Sequence, residues 1–144
     1  MQLKLLWVLL IGLLIAACSP TMPAGEAVTA EMADGSVTMT VHAVAQPQSA
    51  DGATSGALQL NIAFRNNTEQ DVMLNLTQQD YVLAAGDGIE LTPTTISPEL
   101  MNMTIPAGAT INGSAEFGVL SPTGTFTLHV TGFDDVTLDA RSPS

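Results

Sequence analysis

Hydrophobic and polar residues alternate with a period of two over most of the chain after Ser36. In the segment "SVTMTVHAV" the apolar positions are every second residue, and the same holds in "GALQLNIAFRN", "DVMLNLT", "TINGSAEFGV" and "FTLHVTGF". This alternation is typical of strands that bury one face. The predicted inward positions are Val37, Met39, Val41, Ala43, Leu58, Leu60, Ile62, Phe64, Val72, Leu74, Leu76, Ile111, Ala115, Phe117, Val119, Phe126, Leu128 and Val130.

Turn-forming residues separate these segments, as in "PQSADGATSG", "RNNTEQ", "AAGDG", "IPAGA" and "SPTG". No stretch of helical length carries an apolar stripe at the spacing of an α-helix, so helix is expected to be nearly absent. Seven or eight short strands in about 105 residues have the size and spacing of an antiparallel β-sandwich. One-sided burial on nearly every strand favours antiparallel layers over a parallel sheet. The pattern therefore predicts an all-β sandwich over residues 36–144.

A different pattern occupies the N-terminus. Thirteen apolar or small residues, Leu5 to Ala17, follow a short start that carries Lys4. That run is too short to span a bilayer and has the length of a secretory signal peptide. The only cysteine, Cys18, follows directly.

Residues 15–18, Ile-Ala-Ala-Cys, resemble the lipobox of bacterial lipoproteins, which implies a lipid on Cys18 and removal of residues 1–17. The alternative is simple secretion with a cysteine at the boundary by coincidence. Lipidation explains both the number and the position of the thiol, because a lone cysteine in an exported chain is otherwise a loose reactive group. Residues 18–35, rich in Pro, Ala, Gly and Thr, are predicted to be the lipidated cysteine and a flexible tether.

Charge narrows the possible partners. The formal net charge is −11, and the predicted mature chain keeps Arg65 and Arg141 against fourteen acidic residues, which gives −12. Such a surface is repelled by nucleic acid, so nucleic-acid binding is excluded. The predicted membrane contact is the lipid on Cys18.

The succession "GALQLNIAFRNNTEQDVMLNL", "QDYVLAAGDG", "IPAGATINGSAEFGV" and "FTLHVTG" resembles an uncharacterised family of bacterial lipoprotein domains. The resemblance covers residues 36–139 and implies an immunoglobulin-like, telokin-like sandwich. The chain departs from the family's usual Pro-Gly turn by having Pro106, Ala107 and Gly108. The family has no established catalytic residues, so the resemblance implies none for this chain.

Two histidines and several methionines are candidate metal ligands. His42 and His129 lie on the polar phase of their strands, and first and last strands of such sandwiches often lie side by side. If they do so here, both imidazoles point out of the same sheet. Thioether and imidazole groups suit Cu(I), and Met73, Met101 and Met103 are candidates to join the histidines. The alternative is that methionine fills a core poor in aromatic residues.

Calcium binding and nucleophilic catalysis have little support in the sequence. Asp80, Asp87 and Glu90 cluster around one predicted hairpin and Asp134 precedes Asp135, but the sequence lacks the spacing of a calcium loop. No nucleophile elbow occurs, and the only thiol is predicted to be lipidated.

Taken together, the sequence predicts a lipid-anchored protein of the bacterial cell envelope that faces away from the cytoplasm. It is expected to be no enzyme and to need no cofactor. Its sandwich is expected to bind an extracytoplasmic protein partner, and the alternative is a copper carrier that uses the Met and His ligands.

Overall fold

The computed structural model describes residues 27–45, 56–119 and 124–140. These residues form strands and two short 3-10 turns, with no α-helix among them. Within this part of the chain, no helix is long and apolar enough to cross a membrane. The strands are β1 (Val28–Glu31), β2 (Val37–Ala45), β3 (Gly56–Asn66), β4 (Val72–Leu74), β5 (Tyr81–Ala85), β6 (Glu90–Leu91), β7 (Thr95–Ile96), β8 (Met103–Ile105), β9 (Thr110–Val119), β10 (Gly124–Val130) and β11 (Val136–Ala140).

All strand pairs are antiparallel. The first sheet has the order β1-β2-β3-β9-β7, and the second sheet has the order β11-β10-β5-β6. A separate two-stranded ladder joins β4 to β8. The 3-10 turns, Gln78–Asp80 and Pro98–Leu100, precede β5 and β8.

The core lies between the two sheets. Alternate residues of β2, β3 and β9 point inward from the first sheet and meet inward residues of β5, β10 and β11. Phe64 of β3 contacts Phe133, which follows β10, with ring centroids 5.3 Å apart. The predicted inward positions are buried except Val72 and Ile111, which are half-buried. The prediction of an all-β antiparallel sandwich is confirmed.

The number of strands differs from the prediction of seven or eight. Eleven strands form. The sequence predicts β4 from "DVMLNLT" and short segments around "DYVL", "IELTP" and "MNMTI", which correspond to β5, β6 and β8, so the strands without a prediction are β1, β7 and β11. A period of two cannot be recognised over the four residues of β1 or the two residues of β7, whereas the five residues of β11 alternate and the prediction missed them.

The start of the domain is also corrected. Residues 28–31 were predicted to belong to a tether, but they form β1 and pair with β2 from Val41 to Thr38. Ala30 is buried, and Met32 bridges to Phe133. The small side chains of this stretch give little hydrophobic signal, and pairing with β2 supplies the stability. The predicted signal peptide, Cys18 and the first part of the predicted tether lie outside the described residues.

Candidate functional site

An open groove of about 430 Å³ lies on the outer face of the first sheet. It crosses β2, β3 and β9 and is bounded by Ser97, just after β7. No Asp or Glu lines it, although the chain is strongly acidic. Besides His42, its hydrogen-bonding side chains belong to Thr40, Gln59, Asn61, Ser97, Asn112 and Ser114.

Strand alternation and register bring these side chains together. Thr40 and His42 lie on β2 between buried residues, so both point away from the core. His42 lies opposite Asn61 of β3, and Asn61 lies opposite Ser114 of β9. A continuous polar row therefore crosses three strands. A second row runs from Thr40 past Ala63 to Asn112.

Part of the groove is held in place by its own hydrogen bonds. The Gln59 side-chain amide donates to Asn61 Oδ1 at 2.9 Å. At the boundary, the Ser97 N–H donates to the Ser114 carbonyl at 2.8 Å, and Ser97 Oγ accepts from the Ser114 N–H at 2.9 Å. The side chains of Thr40, His42 and Asn112 make no hydrogen bond to the described residues, so they are available to a ligand.

Gly113 lies between Asn112 and Ser114 on the inward phase of β9. A Cβ built at Gly113 would lie 2.6 Å from Leu100 Cγ and 3.0 Å from Ser97 Cβ. Leu100 is completely buried and uses the space that a side chain at position 113 would occupy. This packing seats the 3-10 turn Pro98–Leu100 against β9 beside the groove.

The two histidines do not share a site. His42 lies on β2 of the first sheet, and His129 lies on β10 of the second sheet. Both are exposed on outward positions, so their side chains leave opposite faces of the sandwich. The condition for both imidazoles to point out of the same sheet was that their strands lie side by side, and it is not met, because β2 and β10 belong to different sheets.

His129 has a different partner. Its Nδ1 lies 2.7 Å from Asp135 Oδ1, and both side chains are more than half exposed. This pair orients the imidazole, but within the described part of the chain no hydroxyl or thiol is hydrogen-bonded to the ring. The arrangement lacks the nucleophile that a catalytic triad requires.

The candidate methionine ligands are also dispersed. Met73 of β4 is 66% exposed, whereas Met103 of β8 is buried in the core. Met73 pairs with Thr104, so Met73 and Met103 lie on opposite faces of the β4–β8 ladder. Met101 is half-buried just before β8. The predicted set of two histidines and three methionines therefore does not surround one copper ion.

Carboxylates do not gather either. Over residues 27–45, 56–119 and 124–140, no group of three or more His, Cys, Asp and Glu side chains could hold a metal ion. Asp80 is engaged by the Thr77 N–H and hydroxyl, each at 2.7 Å. The Thr77 hydroxyl, the Thr77 N–H and the Thr131 side chain lower the pKa of Asp80, and Ser36 lowers the pKa of Asp34 in the same way.

Tyr81 is a structural residue next to Asp80. Burial, and then the charge of Asp80, raise the pKa of Tyr81, so its hydroxyl stays protonated. That hydroxyl donates to the Leu100 carbonyl at 2.6 Å. It thereby holds the same 3-10 turn that packs against Gly113.

Sequence reasoning did not identify the groove. In the sequence, Thr40, Asn61, Asn112 and Ser114 are ordinary polar residues of alternating segments. The available signal was the lack of acidic residues on the outward phase of the middle of β2, β3 and β9. The predicted lipidation site, Cys18, lies outside the described residues.

No protein-family model and no curated protein matches the sequence. Several solved structures resemble the fold. A predicted lipoprotein, ycdA, from Bacillus subtilis superposes with a TM-score of 0.53 at 16% identity, over 81% of this chain. The present chain spans only 39% of that structure.

Two further structures are more distant. The secreted protein MPT63 of Mycobacterium tuberculosis has a TM-score of 0.47 at 17% identity, over 82% of this chain and 95% of its own. A functionally unknown protein from Listeria monocytogenes has a TM-score of 0.49 at 14% identity, over 81% and 82%. At these identities the similarity to ycdA establishes the shared β-sandwich fold alone.

Proposed function

We propose that this chain is a lipid-anchored protein of the bacterial cell envelope whose non-catalytic sandwich binds an extracytoplasmic protein partner. The binding surface is the groove on the outer face of the first sheet. The observation that carries the proposal is the composition of this groove: neutral hydrogen-bonding side chains, with no carboxylate, in a chain of net charge −11.

The anchor and the location are supported by the N-terminal sequence. A short apolar run ends in Ile15, Ala16, Ala17 and Cys18, as in bacterial lipoproteins. The similar fold of the predicted lipoprotein from Bacillus subtilis agrees with this assignment. One acyl chain holds a protein only marginally, whereas two or more give stable attachment, so a multiply acylated Cys18 suffices as the membrane anchor.

The character of the groove favours a protein over a small molecule. Pockets for small ligands are usually concave and mostly apolar and enclose most of the ligand. This groove is open, and most of the residues that line it have hydroxyl, amide or imidazole side chains, although more of its lining surface is apolar than polar. Non-obligate protein interfaces are about as polar as the rest of a protein surface, and such a lining suits them. The copper alternative loses its main support, because the histidines leave opposite faces of the sandwich.

The anchor is tested by labelling the native host with radioactive palmitate. The wild-type chain should incorporate the label, and Cys18→Ser should not, because serine lacks the sulfur that forms the thioether. Fractionation should place the wild-type protein with the membranes and the variant in the soluble extracytoplasmic fraction. Equal labelling of both chains would contradict the anchor.

The binding surface is tested by photo-crosslinking in the intact envelope. A benzophenone amino acid at Asn61 lies in the groove, and the matched control at His129 lies on an exposed strand position of the second sheet. We expect a crosslink to another protein from position 61 and none from position 129. Crosslinking from 129 alone would move the interface to the second sheet, and no protein crosslink from either position would contradict protein binding.

A further inference from the structure

The groove adjoins an incompletely paired edge of the first sheet. β9 is ten residues long, but β7 pairs with it only at Glu116 and Ala115. The chain leaves this edge at Ser97, which is hydrogen-bonded to Ser114. Among the described residues, no strand lies beside Thr110–Gly113 on the side away from β3.

The backbone direction along this edge follows from one hydrogen bond. The Asn66 N–H donates to the Ala109 carbonyl at 2.9 Å, so these residues form a hydrogen-bonded pair of the β3–β9 ladder. Hydrogen-bonded and non-hydrogen-bonded pairs alternate in an antiparallel ladder. Ile111 and Gly113 therefore bond to β3, whereas Thr110 and Asn112 direct their N–H and C=O groups away from it. Within the described residues these four groups have no backbone partner.

Thr110 and Asn112 themselves carry neither a charge nor a proline, and the 3-10 turn Pro98–Leu100 packs against β9 at the neighbouring Gly113. Natural sheet edges are often protected by proline, by charged side chains or by a covering element. Thr110 and Asn112 are uncharged and exposed. The N–H and C=O groups of Thr110 and Asn112 lie on the same edge of β9 that pairs with β7. They lie beyond the point where the chain leaves this edge at Ser97, and they are next to the groove.

We propose that an extended segment of the protein partner adds to the first sheet along Thr110–Asn112, in the manner of β-strand addition. This inference rests on the proposed function and specifies which part of the partner is bound. Main-chain hydrogen bonds supply affinity in this mode, and alternate side chains of the added strand supply specificity.

The neighbouring side chains define the chemistry of that segment. Arg65 is exposed, lies opposite Thr110 on the outer face and has no ion pair with the described residues. A residue of the added strand opposite Thr110 is two strand spacings, about 9–10 Å, from the Arg65 backbone, within reach of the arginine side chain. An acidic residue fits there. An apolar residue fits opposite the half-buried Ile111, and a neutral polar residue opposite Asn112 faces the groove.

The openness of the edge is tested by amide hydrogen exchange, measured by NMR on the full lipidated chain in detergent micelles. Thr110 and Asn112 should exchange at least about tenfold faster than Ile111 and Gly113, because only the latter two bond to β3. Equal protection of all four amides would show that the edge is already paired and would overturn the proposal.

Strand addition itself is tested with a phage-displayed library of random twelve-residue peptides, selected on the same full chain. We expect enriched peptides with an acidic, an apolar and a polar residue in succession. Asn112→Pro should weaken their binding by about tenfold or more, because it removes an edge donor. Asn112→Ala removes the side chain that lines the groove but keeps that N–H, so it should weaken binding clearly less than Asn112→Pro does.

Arg65→Glu provides a second variant at an exposed position, independent of any effect of proline on folding. This substitution should weaken the binding of peptides with an acidic residue opposite Thr110. It should instead enrich peptides with a basic residue at that position. No enrichment, or enriched peptides that bind Asn112→Pro as well as the wild type, would overturn strand addition.

The crosslinking experiment separates this failure from failure of the proposed function. A crosslink from Asn61 to a partner that persists undiminished in Asn112→Pro would keep protein binding and overturn strand addition. Absence of any protein crosslink would overturn both. A crosslink between two copies of this chain would assign the edge to self-association and overturn the proposed partner.

Discussion

Asn66, at the end of β3, is the buried polar side chain of the described core. Its amide group donates to the carbonyls of Gln70 at 2.7 Å, Ile105 at 2.9 Å and Pro106 at 3.2 Å. Its Oδ1 accepts from the N–H and the hydroxyl of Thr68. One side chain thus joins β3 to the turn that follows it and to the end of β8. The sequence "RNNTEQ" predicted a turn, but not that its first asparagine bonds residues 39 and 40 positions ahead.

Replacing Asn66 by aspartate should be strongly destabilising. At pH 7 the carboxylate places a negative oxygen against three carbonyl oxygens and cannot donate to them. We expect a loss of about 3 kcal/mol in the free energy of unfolding, at the upper end of the cost of unpaired buried polar groups. Urea denaturation of the full chain measures this loss. Asn75→Asp, at an exposed position with no hydrogen bond to the described residues, is the matched control and should change stability little. A comparable loss in both variants would contradict the role of Asn66.

Asp80 predicts a pH dependence of stability. Hydrogen bonds from Thr77 and Thr131 lower the pKa of Asp80 in the folded state, relative to an ordinary value of about 3.9 for an unfolded chain. The contribution of Asp80 to the free energy of unfolding is therefore fully present above about pH 4, and it is lost as the pH falls through the lowered folded-state pKa.

The test compares urea midpoints between pH 7 and pH 2. Asp80→Asn should reduce the loss of stability on acidification, because the group that titrates is gone. Asp134→Asn removes an exposed carboxylate that has no hydrogen bond to the described residues and is the control. The same reduction in both variants would show that the loss of stability comes from protonation of carboxylates in general and not from the hydrogen bonds of Asp80.

At the scale of elements, β9 shows how a strand depends on its neighbours. Gly113 weakens its hydrophobic pattern, and the sequence explains this only as a gap in the inward row. The structure fills that gap with Leu100 from the 3-10 turn Pro98–Leu100, which Tyr81 also holds through its hydroxyl. An apolar side chain from another element thus completes the buried face of the strand.

Two glycines of β9 provide a matched comparison. Gly113→Ala would place Cβ 2.6 Å from Leu100 Cγ, so Leu100 must move, and we expect a loss of about 1–3 kcal/mol. At Gly118 a Cβ would meet Thr94 Cγ2 at an ordinary 3.7 Å. Gly118→Ala should therefore be neutral or slightly stabilising, by less than about 1 kcal/mol. Thermal unfolding of both variants measures the difference, and equal effects would contradict the packing of Leu100 against Gly113.

Short elements were the least predictable. β1 was assigned to the tether and β7 was not predicted as a strand, because each is stabilised by its partner rather than by its own pattern. The long strands β2, β3, β9 and β10 were predictable, since a one-sided environment imposes alternation on their sequences.

On the scale of the whole molecule, charge is distributed unevenly. Eight of the twelve acidic residues in the described segments lie in turns, loops or 3-10 turns. No acidic residue lines the groove in the middle of the first sheet's outer face. Repulsion among the remaining carboxylates opposes the compact state.

Ionic strength should therefore change stability. Raising NaCl from 10 to 150 mM at pH 7 shortens the screening length from about 30 to 8 Å. The melting temperature should rise by a few degrees, equivalent to about 0.5–1 kcal/mol. Choline chloride at equal ionic strength should have the same effect if screening is the cause. A rise with NaCl alone would indicate specific ion binding instead.

The all-β class follows from the sequence alone, as do the inward row of each long strand and the excess of acidic residues, because period, composition and turn chemistry are local properties. The sequence also carries the predicted lipidation of Cys18, which is encoded in contiguous residues. The tertiary structure decided which strands are neighbours, since pairing joins residues far apart in sequence. It placed His42 and His129 on different sheets, seated Leu100 against Gly113, and assembled the neutral groove and the open edge of β9 from three strands.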